Sequence, residues 1–174
     1  MTREVTTTQT IYRYTELSEK AKEKALEWAY EGAFDHPWWE DIIYEDAARI
    51  GLKITGFDLD RNRHATGDYL TGSKECAEAI VGEHGESCET YKTAQAFLTK
   101  LSILEAKSES YDDEDYDEER EDLGDEFLKS ILKEYSTMLQ TEADYRGSRE
   151  ALEETISCND WEFTEDGKFY AGRE

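Results

Sequence analysis

The chain has 174 residues, enough for one domain with a buried core. Its 43 acidic residues outnumber its 20 basic ones, and the net charge of −23 disfavours binding to DNA, RNA or an anionic membrane, all of which would repel it. Four Trp, 11 Tyr and 6 Phe residues argue for a folded protein, since disordered acidic chains are poor in aromatics.

The first third of the chain predicts two helices after a short extended segment. Ser18 is a suitable N-cap for the first helix, and Gly32 is a suitable stop. The second begins around Pro37, which suits a first turn because that turn needs no N–H, and it ends at Gly51. The buried stripe predicted for this second helix consists of Trp39, Ile42, Ile43, Ala47 and Ile50.

The remainder predicts a strand, four helices and a terminal hairpin. Residues 52–60 alternate as a strand whose phase changes at Thr55-Gly56, which indicates a bulge. Residues 61–68 are interpreted as a connection to a short second strand at 69–72. Asp166-Gly167 indicates a hairpin. Helices are predicted at about 73–82, 89–107, 118–146 and 148–158.

These elements predict a helix-rich α+β fold with a small antiparallel sheet. We expect one domain over residues 1–174, with an acidic segment at about 108–122. Three scattered cysteines do not form a disulfide framework, and no long apolar run is present. A reducing cytoplasm, including that of an infected host cell, is the expected compartment.

One candidate metal site follows the predicted strand. Asp58, Asp60 and Asn62 have the spacing of the first three ligands of a calcium-binding EF-hand loop. That loop needs Gly at its sixth position and Glu at its twelfth, where this chain has Arg63 and Tyr69. A polar hairpin is therefore the simpler interpretation.

A second candidate metal site consists of Cys76, His84 and Cys88, with His64 or Cys158 as a fourth zinc ligand. The spacings match no zinc knuckle, so we predict no metal and no cofactor. No recognisable nucleophile, general base or phosphate-binding glycine loop is found, so the chain is not predicted to be an enzyme. A metal-dependent enzyme built around Asp58, Asp60 and His64 remains an alternative.

The sequence YDDEDYDEERED, residues 111–122, is the best candidate site. It contains nine carboxylates and one basic residue, Arg120, and it lies in the half of the chain with the greater excess of acids. If helical, its twelve residues span about 18 Å, which is one net negative charge per roughly 2.2 Å. Duplex DNA has one per roughly 1.7 Å of axis. An acidic surface loop is the competing interpretation.

Several longer strings resemble small acidic proteins encoded by tailed bacteriophages and prophages. They are YRYTELSEKAKEKALEWAYEG, ITGFDLDRNRHATGD, HGESCETYKTAQAFL and EALEETISCNDWEFTEDGKFY. Most members of that group are uncharacterised, and some are loosely labelled as antitoxins of toxin–antitoxin systems. The resemblance implies a phage setting, in which acidic proteins block host nucleases and CRISPR effectors, some of them by imitating DNA. It provides no site residues.

The sequence therefore predicts a phage-encoded anti-defence inhibitor of the anti-CRISPR or anti-restriction type. Its expected partner is a basic host protein such as a CRISPR effector or restriction nuclease. The inhibitor itself is expected to bind neither nucleic acid nor membrane. An antitoxin-like protein that neutralises a basic toxin is the alternative. Aromatic anchors are expected at Tyr111, Tyr116 and Trp38, because interfaces are enriched in Trp and Tyr. The carboxylates expected to occupy phosphate sites are Asp112, Asp113, Glu114, Asp115, Asp117, Glu118, Glu119, Glu121 and Asp122.

Overall fold

The structure is a computed structural model, which describes residues 8–108 and 113–172. The described residues form a helix-rich α+β fold, as predicted, with the antiparallel pairing divided between two small two-stranded sheets. The strands are β1 (Tyr12–Arg13), β2 (Leu52–Asp58), β3 (His64–Tyr69) and β4 (Glu162–Phe163). The helices are α1 (Glu19–Ala33), α2 (Glu45–Arg49), α3 (Ser73–Glu83), α4 (Glu89–Ala106), α5 (Asp113–Arg146) and α6 (Arg149–Cys158).

The chain divides into two compact units, one formed by the residues up to Pro37 with those from Glu142 onward, the other by Trp38–Thr141. One domain can contain two such units, so the single-domain expectation stays a prediction. None of the described helices is both long enough and apolar enough to cross a bilayer.

In the first unit, α1 and α6 pack together beside the β1–β4 pair. Ser18 and Ser148 cap the two helices, and each side-chain oxygen accepts a hydrogen bond from the backbone N–H three residues later, at 3.3 Å. The predicted terminal hairpin is confirmed: Phe163 bridges Phe169, and Gly167 lies at its turn with φ +83°. A Cβ at Gly167 would lie 2.1 Å from the Ala21 carbonyl oxygen, so the turn requires glycine.

In the second unit, the antiparallel pair β2–β3 contains the bulge predicted from the phase change. The register shifts between Ile54 and Gly56. The predicted connection was wrong, however. Strand β3 begins at His64 within it and ends at Tyr69, because those backbone groups complete the hydrogen-bond ladder with β2.

The prediction of the second helix was also wrong in its first turns. A π-helical turn (Glu40–Tyr44) precedes the short α2, and the Tyr44 N–H donates to the Trp39 carbonyl five residues back. This wider turn changes which side chains face inward. Ile43, Ala47 and Ile50 are buried as predicted, whereas Ile42 is 57% exposed.

Helices α3 and α4 form an antiparallel pair, against which the middle of α5 packs. The buried residues of α5 follow the predicted helical spacing and are Phe127, Ile131, Leu132, Tyr135 and Leu139. Three helices begin or end within one residue of their predicted boundaries, and α5 begins five residues earlier than predicted, at Asp113.

Candidate protein-binding surface

From Asp113 onward, the acidic run forms the first three turns of α5. Residues 113–122 contain eight acids and Arg120, and at 1.5 Å per residue they span about 15 Å. The predicted site residues Tyr111 and Asp112 lie outside the described part of the chain, as does the side chain of Asp113. The run is thus helical from Asp113 onward, which the sequence alone left open.

The carboxylates from Glu114 to Asp122 project into solvent. No ion pair joins any of them to another described residue, so their charge is not compensated by that part of the protein. Neighbours three or four positions apart on such a helix lie roughly 5–6 Å from each other. The acidic face, as we call it, consists of Glu114, Asp115, Asp117, Glu118, Glu119, Glu121 and Asp122, all exposed.

A partly buried contact holds α5 immediately after the acidic face. The Tyr69 hydroxyl donates a hydrogen bond of 2.6 Å to the carbonyl oxygen of Gly124. Burial raises the pKa of Tyr69, which extends to higher pH the range over which its hydroxyl is protonated and can donate. The Phe127 ring stacks on that of Phe97 at 4.3 Å. The acidic face is therefore an extension of a helix whose next turns are fixed in the core.

The two predicted aromatic anchors within the described residues are differently placed. Tyr116 is half-buried on α5 beside the acidic face. Trp38 is only 6% exposed and packs edge-on against Trp39 and Phe57. One core tryptophan with a partly covered neighbour is thus the arrangement observed, and Trp38, rather than Trp39, is the buried member. Trp38 therefore presents almost no surface to a partner.

A buried polar network in the second unit was missed by sequence reasoning. The Tyr135 hydroxyl donates to Asp46 Oδ2 at 2.7 Å, and His84 Nε2 lies 3.6 Å from the same oxygen. His84 Nδ1 is 2.7 Å from the hydroxyl oxygen of Thr90. An Asp–His–hydroxyl chain is chemically suggestive of a nucleophile, but Thr90 is 5% exposed, so a substrate cannot reach its hydroxyl. The network instead links α2 with the α3–α4 turn and α5.

The two candidate metal sites do not assemble. Asp58 lies at the end of β2, where its Oδ1 accepts the Asp60 N–H at 2.8 Å, as in a polar turn. Cys76 is buried, which raises the pKa of its thiol to about 11, while Cys88 is exposed. Among the described residues, no three His, Cys, Asp or Glu side chains are grouped to hold a metal ion.

Of the features described, the acidic face combines the largest charge with the greatest accessibility. No protein-family model, curated protein or solved structure matches the chain. The resemblance to phage proteins therefore stays a prediction.

Proposed function

We propose that the protein is a non-enzymatic phage-encoded inhibitor whose acidic face binds the nucleic-acid-binding surface of a host defence protein, such as a CRISPR effector or restriction nuclease, in the cytoplasm of the infected cell. The acidic face takes the place of the phosphate backbone, and the protein itself contacts no nucleic acid. The supporting observation is that the acidic face is the exposed side of a helix and forms no compensating ion pairs with the described residues.

Charge density supports this proposal over a simple solubilising role. Residues 113–122 have a net charge of −7 over about 15 Å, or one negative charge per roughly 2.1 Å. This linear charge density approaches that of duplex DNA, which has one negative charge per roughly 1.7 Å of helix axis. Like charges at such spacing repel each other, by a few tenths of a kcal/mol for each neighbouring pair. A basic groove would relieve that repulsion and release bound ions, so affinity is expected to fall steeply with salt.

The test begins with capture of a partner from a bacterial lysate at low salt, its release at high salt and its identification. The partner's affinity is then measured by calorimetry for the wild-type protein and for a variant with Glu114, Asp117, Glu118 and Glu121 changed to Lys. We expect this reversal to abolish binding, and duplex DNA to compete with the wild-type protein. Circular dichroism should show an unchanged fold, because all four side chains are exposed.

A matched control reverses four exposed acids elsewhere: Glu27, Glu31, Glu78 and Glu83 to Lys. These acids form no ion pairs with described residues, and the change in net charge is the same. The control should retain binding. Equal binding by both variants would contradict a role for the acidic face. A tightly bound basic partner with which DNA does not compete would instead support the antitoxin-like alternative.

A further inference from the structure

A groove runs between α4 and α5, next to the acidic face. The two helices are antiparallel: Phe97 stacks on Phe127, and Lys100 Nζ lies 3.8 Å from Glu126 on the facing helix. Side chains at Thr93, Ala96 and Ser130 along the same seam are short, so they do not fill the space between the helices. An open channel results above the stacked rings.

Two cavities lie along this groove, one of about 300 Å³ and one of about 220 Å³. Lys100 and Leu123 line both, so the two cavities are neighbours along the same seam. On α4 the lining extends from Thr93 to Lys107, which at 1.5 Å per residue is about 21 Å, or four helical turns. That length suits another helix and exceeds what a small molecule would occupy.

The floor of the groove is apolar, and one large apolar side chain remains at its rim. Phe97 and Phe127 are buried beneath it, and Leu104 and Leu123 line the second cavity. Ile103 lies beside them with 52% of its surface exposed. An apolar floor with an exposed isoleucine is typical of a surface that receives the apolar stripe of an amphipathic helix.

The two walls of the groove have opposite charges. The α5 wall has an excess of acids, with Glu119, Glu126 and Glu134 against Lys133. The charged residues of the α4 wall are Lys100 and Lys107. The Lys100–Glu126 pair spans the walls, but its side chains are 63% and 73% exposed, so it is weak and can give way to an occupant. A second copy of the chain is a poor occupant because each copy has a net charge of −23.

We propose that this groove binds an amphipathic helix of the partner protein, with basic residues on the flank facing α5 and acidic residues on the flank facing α4. This inference rests on the proposed function, because it assigns the helix to the same protein that the acidic face binds. The acidic face then supplies attraction and the groove supplies apolar contact, which selects among basic proteins.

The groove can be tested without the partner. The probe is a fluorescent helical peptide of about 18 residues, with leucines in one stripe, lysines along one flank and glutamates along the other. An isomeric peptide with lysine and glutamate interspersed on both flanks has the same composition and net charge. Fluorescence anisotropy with the full-length protein should show saturable binding of the first peptide and at least about tenfold weaker binding of the second.

Matched variants locate the binding site. Ile103→Glu should weaken binding of the first peptide at least about tenfold, because it places a charge where the leucine stripe would lie. Ile42→Glu replaces an equally exposed isoleucine in the π-helical turn, outside the groove, and should leave binding unchanged. Both positions are on the surface, so both variants should fold.

Absence of saturable binding, equal binding of the two peptides, or equal effects of the two substitutions would overturn the proposal. So would concentration-dependent dimerisation that Ile103→Glu abolishes, because the occupant would then be a second copy. Failure of the acidic-face reversal to affect partner binding would contradict the proposed function alone, since the peptide measurements do not depend on that partner.

Discussion

Tyr135 shows how a single buried hydroxyl can stabilise the second unit. Its side chain is fully buried, and its only polar atom donates to the carboxylate of Asp46, 89 positions earlier in the chain. Burial, followed by this hydrogen bond, raises the pKa of Tyr135. Hydrogen bonds to a charged acceptor are stronger than those between neutral groups. The contact therefore contributes both stability and the position of α5.

Tyr135→Phe should lower the free energy of unfolding by about 2 kcal/mol, because the variant loses a hydrogen bond to a carboxylate that is itself largely covered. Urea unfolding followed by tryptophan fluorescence measures the loss. Tyr91→Phe is the matched control. Among the described residues its hydroxyl accepts from the nearby Gln95 at the surface, and we expect a loss below about 0.5 kcal/mol. Equal losses would contradict a special role for the Tyr135 hydroxyl.

Among individual residues, sequence reasoning succeeded where local spacing decides. Ser18 is an N-cap because a helix follows it, and Gly167 is in a turn because its dipeptide favours one. Local spacing did not predict the roles of Asp46, His84 and Tyr135. Each of these types is ordinarily found at the surface or in mixed environments, and only the fold brings them together.

At the scale of elements, helix α5 has two parts that are stabilised differently. Its C-terminal two thirds are stabilised by apolar packing, whereas its first three turns have exposed like charges, which destabilise a helix. The hydrogen bond from Tyr69 to Gly124 lies at the boundary between them. The stability of the acidic face is therefore sensitive to single charge changes.

Glu118→Lys should stabilise the protein by up to about 1 kcal/mol at low salt. The lysine would replace repulsion from Glu114 and Asp122, each four positions away, with attraction. Residue 118 lies beyond the first turn, so the preference of a helix N-terminus for acids affects it little. Urea unfolding in dilute buffer and in high salt measures the effect.

Glu118→Gln provides the comparison for this prediction, because it removes the repulsion without adding a positive charge. We expect about half of the gain, and a reduced gain for both variants in high salt. A gain that is the same for both variants, or one independent of salt, would contradict the electrostatic explanation.

Across the whole molecule, the net charge of −23 opposes compaction. Ion pairs such as Arg149 with Glu23 and Glu153 offset part of it in the first unit. The acidic face has no such partners among the described residues of the second unit. Screening by dissolved ions should therefore stabilise this protein more than one with balanced charges.

The melting temperature should rise as sodium chloride is increased from dilute buffer to about 0.15 M, where the Debye length falls to about 8 Å. Differential scanning fluorimetry measures this rise. The variant with four acids of the acidic face changed to Lys should show a smaller rise, since less repulsion remains to be screened. A melting temperature independent of salt in the wild-type protein would contradict the expected self-repulsion.

The sequence by itself determined the helices α1, α3, α4 and α6, the part of α5 from residue 118 onward, the bulge in β2 and the terminal hairpin. All depend on periodicity, caps and turn residues that act over a few positions. It also determined the density of charge in the acidic run, which is a property of composition and spacing.

Only the tertiary structure decided the pairing of β1 with β4, the strand at His64–Tyr69, the burial of Trp38 in place of Trp39, and the groove between α4 and α5. Each of these depends on groups far apart in the chain. A residue's neighbours in sequence do not specify which distant backbone will pair with it or which side chains will face it across a gap. Long-range packing therefore chose among arrangements that local preference permits about equally.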